Sequence, residues 1–279
     1  YPRINILRWR LGRVLASPIL LTLMKMTSVG IYLLVVATGL FGNPSPIENL
    51  APTMVWVIWW VGLTYFSALV GNLWALINPW RIIFEWAESL YSWIDSEGTL
   101  SFKFNYPEWM GVYPAVVLFF GFAWVELVYS GSANPSVLAQ LLLAYSMITW
   151  GGMLLFGKDA WTRHGDAFSV VFGLVSKFSP TEIRVVSRKV CSSCSLGCNV
   201  IANECIDCTT CFNRAPAIER ELNIRPFAVG LLRKERISWS MMVFVLLVLS
   251  TVTFDGFSAT PLWGRILELF SELFPQLIS

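Results

Sequence analysis

The chain has 279 residues, of which 56% are hydrophobic and 14% charged, with a formal net charge of +2. Soluble domains carry about 25% charged residues, so this composition excludes an ordinary soluble globule and points to a protein built for a bilayer. The near-neutral total excludes little; the positions of the charges carry the information.

The chain opens on Tyr1 and stops at Ser279, and it reads as trimmed, with further protein expected at either end. Its first residues, through Arg13, are basic, and no small-residue cleavage site follows the apolar run, so no signal peptide is expected. Segment 1–25 is read as basic and interfacial. From Met26 to Trp80 there is no Lys or Arg, which is room for two helices at about 20 residues per span. Thr27–Phe41 and Met54–Gly71 are the apolar halves, and Gly42-Asn43-Pro44-Ser45-Pro46 is the turn between them. Segment 26–80 is therefore a first transmembrane hairpin. Asn78-Pro79-Trp80-Arg81 reads as its stop, with an aromatic belt residue and a basic anchor.

Segment 81–108 is a loop whose Trp80–Trp93 stretch mixes Ile82, Ile83, Phe84 and Trp86 with Glu85 and Glu88, as an interfacial helix does. Segment 109–157 repeats the pattern of a hairpin: Trp109–Tyr129 and Val137–Phe156 flank Ser130–Pro135, again without Lys or Arg. Ala167–Phe178 places Phe168, Val171, Phe172, Leu174, Val175 and Phe178 on one face and stops at Pro180, which predicts a second interfacial helix. A fifth span occupies 237–257. After it, 258–279 is expected to lie on the outer face as an amphipathic helix, with Leu262, Ile266, Leu269, Phe270 and Leu273 opposite Arg265, Glu268 and Glu272.

The predicted fold is thus an all-α integral membrane protein of about five spans, with interfacial helices and a small cysteine-rich loop domain in 158–236. Backbone groups in lipid have no water to bond, so the spans are helices. Basic residues collect in cytoplasmic loops. With the N-terminus inside, every Lys and Arg except Arg265 lies on the cytoplasmic side. The expected location is a prokaryotic inner membrane, with the cysteines facing the cytoplasm.

Cys191, Cys194, Cys198, Cys205, Cys208 and Cys211 follow the pattern C-x2-C-x3-C, six residues, C-x2-C-x2-C. In a reducing compartment such density signals metal ligation or redox chemistry rather than a disulfide framework. Thiolates two residues apart converge on one centre through a tight turn. Ser192, Ser193, Asp207, Thr209 and Thr210 are small or turn-prone, leaving amides to donate to sulfur and tune a cluster's potential. All six are candidate ligands. Six thiolates fully ligate one [4Fe–4S] centre with two to spare, or two centres with a position each filled from elsewhere. The preferred set is Cys205, Cys208 and Cys211 closed by Cys198. Zinc on two C-x2-C pairs is the alternative, and it leaves a surplus cysteine in each triplet.

Cys205–Pro216 resembles the bacterial ferredoxin run C-x2-C-x2-C-x3-C-P, with Ala215 at the fourth cysteine's position and Pro216 retained. Cys191-Ser192-Ser193-Cys194-Ser195-Leu196-Gly197-Cys198 resembles the C-x2-C-x3-C opening of the cluster domain in molybdopterin oxidoreductases, whose distant fourth cysteine is missing here. The resemblances imply an iron–sulfur centre and an electron-transfer role. The membrane part is only faintly similar to poorly described multi-spanning prokaryotic proteins, which implies no activity.

His164 is the one histidine, and it lies outside the spans, so bis-histidine haem from this chain alone is excluded. It reads as a surface residue rather than a ligand. Glu126 and Asp255 lie near outer helix ends and read as reaching the headgroups. No phosphate loop, nucleophile elbow or metallohydrolase motif appears, and Arg233–Arg236 reads as a topology signal, so no nucleic-acid partner is expected.

The expected function is an electron-transfer subunit of a larger redox complex rather than a stand-alone enzyme. Its partners would be the lipid bilayer, other subunits, and a quinone or soluble carrier. A scaffold subunit with a zinc-folded loop is the second class. A transporter ranks third, because no inverted repeat or broken helix pair is visible.

Overall fold

A computed structural model describes residues 1–95, 99–194, 204–233 and 237–273. Among them five helices are long and apolar enough to cross a membrane: Pro18–Phe41, Leu50–Leu69, Glu108–Leu127, Pro135–Phe156 and Trp239–Ser258. Their starts follow capping chemistry. Ser17, Asn134 and Ser238 each accept a backbone N–H from the first turn with a side-chain oxygen, and proline opens the first and fourth spans. Only 17–33% of each span's apolar window is buried within the protein, as lipid-facing helices require. In the second span, Thr53–Gly62 winds as a π-helix. Its wider turn rotates neighbours less, and both Trp59 and Trp60 pack into the core.

That core is aromatic. Trp60, Trp74, Trp80, Phe84, Phe119, Phe168, Phe172 and Phe244 are buried together, and their ring pairs are mostly tilted or edge-on.

Two stretches expected in the headgroup plane run into this core instead. Pro79–Ile94 is a helix that begins at buried Trp80, whose indole donates to Ser146 Oγ at 2.7 Å. Ala167–Val175 is a helix that begins beside Tyr145, with Ala167, Phe168, Val170, Val171 and Phe172 buried. Tyr145 and Ser146 are midway along the 22-residue fourth span. Both helices therefore start at mid-bundle and run back towards the side carrying Lys25, Lys158 and the cysteines. They are half-helices, and their apolar faces cover one another and the spans rather than lipid headgroups. Trp80 is accordingly a core residue and not a belt residue.

The fold-back after the fourth span depends on glycine. Gly157 reverses the chain at φ +85°, a left-handed conformation glycine adopts freely. Lys158–His164 then packs back on the span, with Trp161 lying so close to Gly152 that an added Cβ would sit 2.1 Å from the ring. His164 is half-buried and stacks on Tyr106 at 5.1 Å, unlike the simple surface histidine the sequence suggests.

The all-α expectation itself fails at a four-stranded antiparallel sheet in the order β1-β4-β2-β3, made of Ile4–Asn5, Arg220–Ile224, Thr181–Val186 and Glu204–Ile206. Ile4 pairs with Ile224, which puts the N-terminus and the cysteine segment on one side, as four intervening crossings require. The sheet is bound by the buried Arg225–Glu182 pair at 2.9 Å and by Arg3 on the same carboxylate. After the fifth span, Pro261–Leu273 forms a helix with Leu262, Leu269, Phe270 and Leu273 exposed.

Candidate metal centre

The sheet positions the cysteines. Strand β3 carries Cys205 opposite Val185. Asp207 then turns the chain at φ +55°, a left-handed conformation Asp tolerates better than most residues. It is tied to β2 from both ends: its N–H donates to Ile183 O at 2.8 Å, and its carboxylate accepts from Ile183 N at 3.3 Å. The turn delivers Cys208 to the head of the helix Thr209–Arg214, and Cys211 follows one turn later on the same face. From the other side, Ser187 caps the helix Arg188–Ser192, which holds Cys191 and leads to Cys194.

The outcome is that the sulfurs of Cys194, Cys208 and Cys211 lie within 4.8 Å of one another, and this trio can hold a metal ion. Cys208 and Cys211 are buried, and Cys194 is half-exposed. Thiolates are soft ligands that suit zinc or iron. Cys191 and Cys205 are buried in the same small core, with Val185 and Ala215, but outside the trio. Cys191 Sγ donates instead to Val185 O at 3.7 Å. Of the expected set of Cys205, Cys208, Cys211 and Cys198, the trio includes Cys208 and Cys211 and leaves out Cys205. Cys194 is the upstream partner, and Cys198 lies outside the described residues. The five described cysteines form no disulfide with one another.

A feature the cysteine spacing did not announce is how this module sits on the bundle. Thr210, between two of the trio, donates to Asp159 Oδ1 at 2.9 Å. Asp159 pairs with Arg81 at 2.6 Å, and Arg81 with Glu85 at 3.1 Å, which also takes Lys25. Burial pushes the Asp159 carboxyl up, but the Arg81 guanidinium outweighs it and holds the pKa below the usual value. Arg81 is therefore an ion-pair hub in the first turn of the first half-helix and no simple interfacial anchor. A second tether runs from Thr181 Oγ1 to Val70 O, at the end of the second span.

No family model, curated protein or solved structure matches this chain. The fold and the site define a mostly helical protein with five helices long and apolar enough to cross a membrane, carrying a thiol trio that could hold a metal ion.

Proposed function

We propose that the chain is a membrane-embedded electron-transfer subunit, whose thiolate centre holds iron at the cytoplasmic face and works within a larger redox complex. The observation that carries this reading is the Cys194–Cys208–Cys211 trio, fixed to the helix bundle through Thr210 and Asp159. A redox centre coupled to a membrane needs such rigid mounting. Iron–sulfur ligation is supported by the ferredoxin-like run that supplies two of the three thiolates. Quinone or a soluble carrier would exchange electrons at this face.

Structural zinc is a second reading, and the spacing of the sulfurs favours it. With Zn–S bonds of about 2.3 Å, tetrahedral sulfurs stand about 3.8 Å apart. Separations within 4.8 Å suit one ion better than sulfurs bound to different irons of a cubane. In that case the metal folds a module whose small core is largely cysteine.

Purified protein decides between them. Iron, visible absorbance bleached by reductant and a paramagnetic signal are expected, and Cys208→Ser should abolish all three. Colourless protein containing only zinc would overturn electron transfer and leave the scaffold. Absence of any metal would overturn both.

A further inference from the structure

The two half-helices hold corresponding places in the chain and share a cap-aromatic-aliphatic pattern. Asn78-Pro79-Trp80-Arg81-Ile82-Ile83-Phe84 and Asp166-Ala167-Phe168-Ser169-Val170-Val171-Phe172 align at a separation of 88 residues (166 − 78), each following a transmembrane hairpin. Asn78 caps the first half-helix and Asp166 the second, each accepting a backbone N–H of its own first turn. The counterparts meet. Asn78 Nδ2 donates to Asp166 Oδ2 at 3.0 Å, and Trp80 stacks on Phe168 with centroids 6.4 Å apart and planes at 20°. Two helix N-termini, the positive ends of their dipoles, thus converge at mid-bundle. Parallel repeats with discontinuous helices meeting at the midplane are an architecture of membrane carriers.

The two caps differ in one respect: the first is an amide and the second a carboxyl. Asp166 is fully buried. Its four contacts come from neutral donors: Tyr145 Oη at 2.5 Å and Phe168 N at 3.3 Å on Oδ1, with Ser169 Oγ at 2.5 Å and Asn78 Nδ2 at 3.0 Å on Oδ2. The other charged and titratable groups nearby are engaged elsewhere. Arg81 faces Asp159 and Glu85, His164 stacks on Tyr106, and Tyr32 of the first span bonds Ser146. From the fourth span, Tyr145 is the titratable group that faces it.

We infer that Asp166 is a reversible proton-binding site at the centre of the membrane bundle. Ionised, the carboxylate is held by four donors and two helix N-termini. A metal ion would have to displace a donor, whereas a proton needs only hydroxyl rotation. On protonation a new O–H bond forms at Oδ1 and donates to Tyr145 Oη. The phenol hydrogen then turns to the buried hydroxyl of Thr149, which interacts with the Tyr145 side chain from one helical turn further along the span. No electron moves. The site exchanges one positive charge in the low-dielectric interior, where an ionisable residue is functional by default. This inference is independent of the metal.

Infrared titration of the protein in lipid vesicles, from about pH 4 to 9, tests it. The wild type minus Asp166→Asn difference should contain a carboxylic C=O band that grows on acidification. Asparagine already caps the equivalent position, so Asp166→Asn keeps the cap. The double variant Asp166→Asn/Asn78→Asp should restore the band from the other half-helix. Thr149→Val should lower the midpoint about tenfold in proton affinity, one pH unit. Coincident spectra of wild type and Asp166→Asn at every pH would overturn the proton site. An unmoved midpoint in Thr149→Val would overturn the role given to that hydroxyl.

Discussion

Asp159 serves two structures at once. One carboxylate oxygen receives Thr210 from the cysteine module and Arg81 from the first half-helix, so module and bundle share a single acceptor. Nothing about Asp159 in the sequence distinguishes it from a solvated loop carboxylate, because its partners come from positions 81 and 210. His164 was likewise hidden. Burial first, and then the neighbouring Arg163 charge, push its pKa down to about 4. Its unfolded value is about 6.5, so the native state binds fewer protons between these limits. Stability is full above about pH 6.5 and is lost as pH falls towards 4. Thermal melts of detergent-solubilised protein should therefore drop by about 2 °C more on acidification in the wild type than in His164→Gln. Equal drops would show that the ring titrates freely.

The spans were the legible elements. Long stretches without Lys or Arg, bounded by Ser or Asn caps and proline, admit one reading in lipid, and the structure has helices where those stretches fall. The half-helices were misplaced for a physical reason. A short apolar face looks the same whether it lies on headgroups or packs against Trp59 and Phe122, as Phe168 does. The repeated cap-aromatic-aliphatic pattern at 78–84 and 166–172 was the available signal. The sheet was illegible because its strands have two to six residues, are rich in Arg and Glu, and join positions over 200 apart. Of the candidate centre, the cysteines were plain and their grouping was not, since the turn at Asp207 and the pairing of β2 with β3 decide which sulfurs meet. At this scale Gly152 is the sharpest test. Gly152→Leu should force Trp161 off the fourth span and cost about 1–3 kcal/mol. Lowered thermal stability together with a changed tryptophan emission would be the readout, and wild-type behaviour in both would contradict the fold-back.

For the whole molecule, the sheet joins both ends of a four-span arrangement on one side, and the distribution of Lys and Arg predicts that side to be the cytoplasm. After chelation of any metal, a membrane-impermeant maleimide should then label Cys194, which is half-exposed, in inverted vesicles and spare it in right-side-out ones; the reverse pattern would invert the orientation. Two side-chain hydrogen bonds, from Thr210 to Asp159 and from Thr181 to Val70, join the module to the bundle.

The pairing of Ile4 with Ile224 has a consequence for biosynthesis. The first strand leaves the ribosome long before its neighbour exists. At about 5–20 residues per second, some 10–40 s of translation separate them. During that interval four helices enter the membrane, and the nascent amino end has no ladder to join. Edge pairing at this far side of the sheet therefore closes late in synthesis.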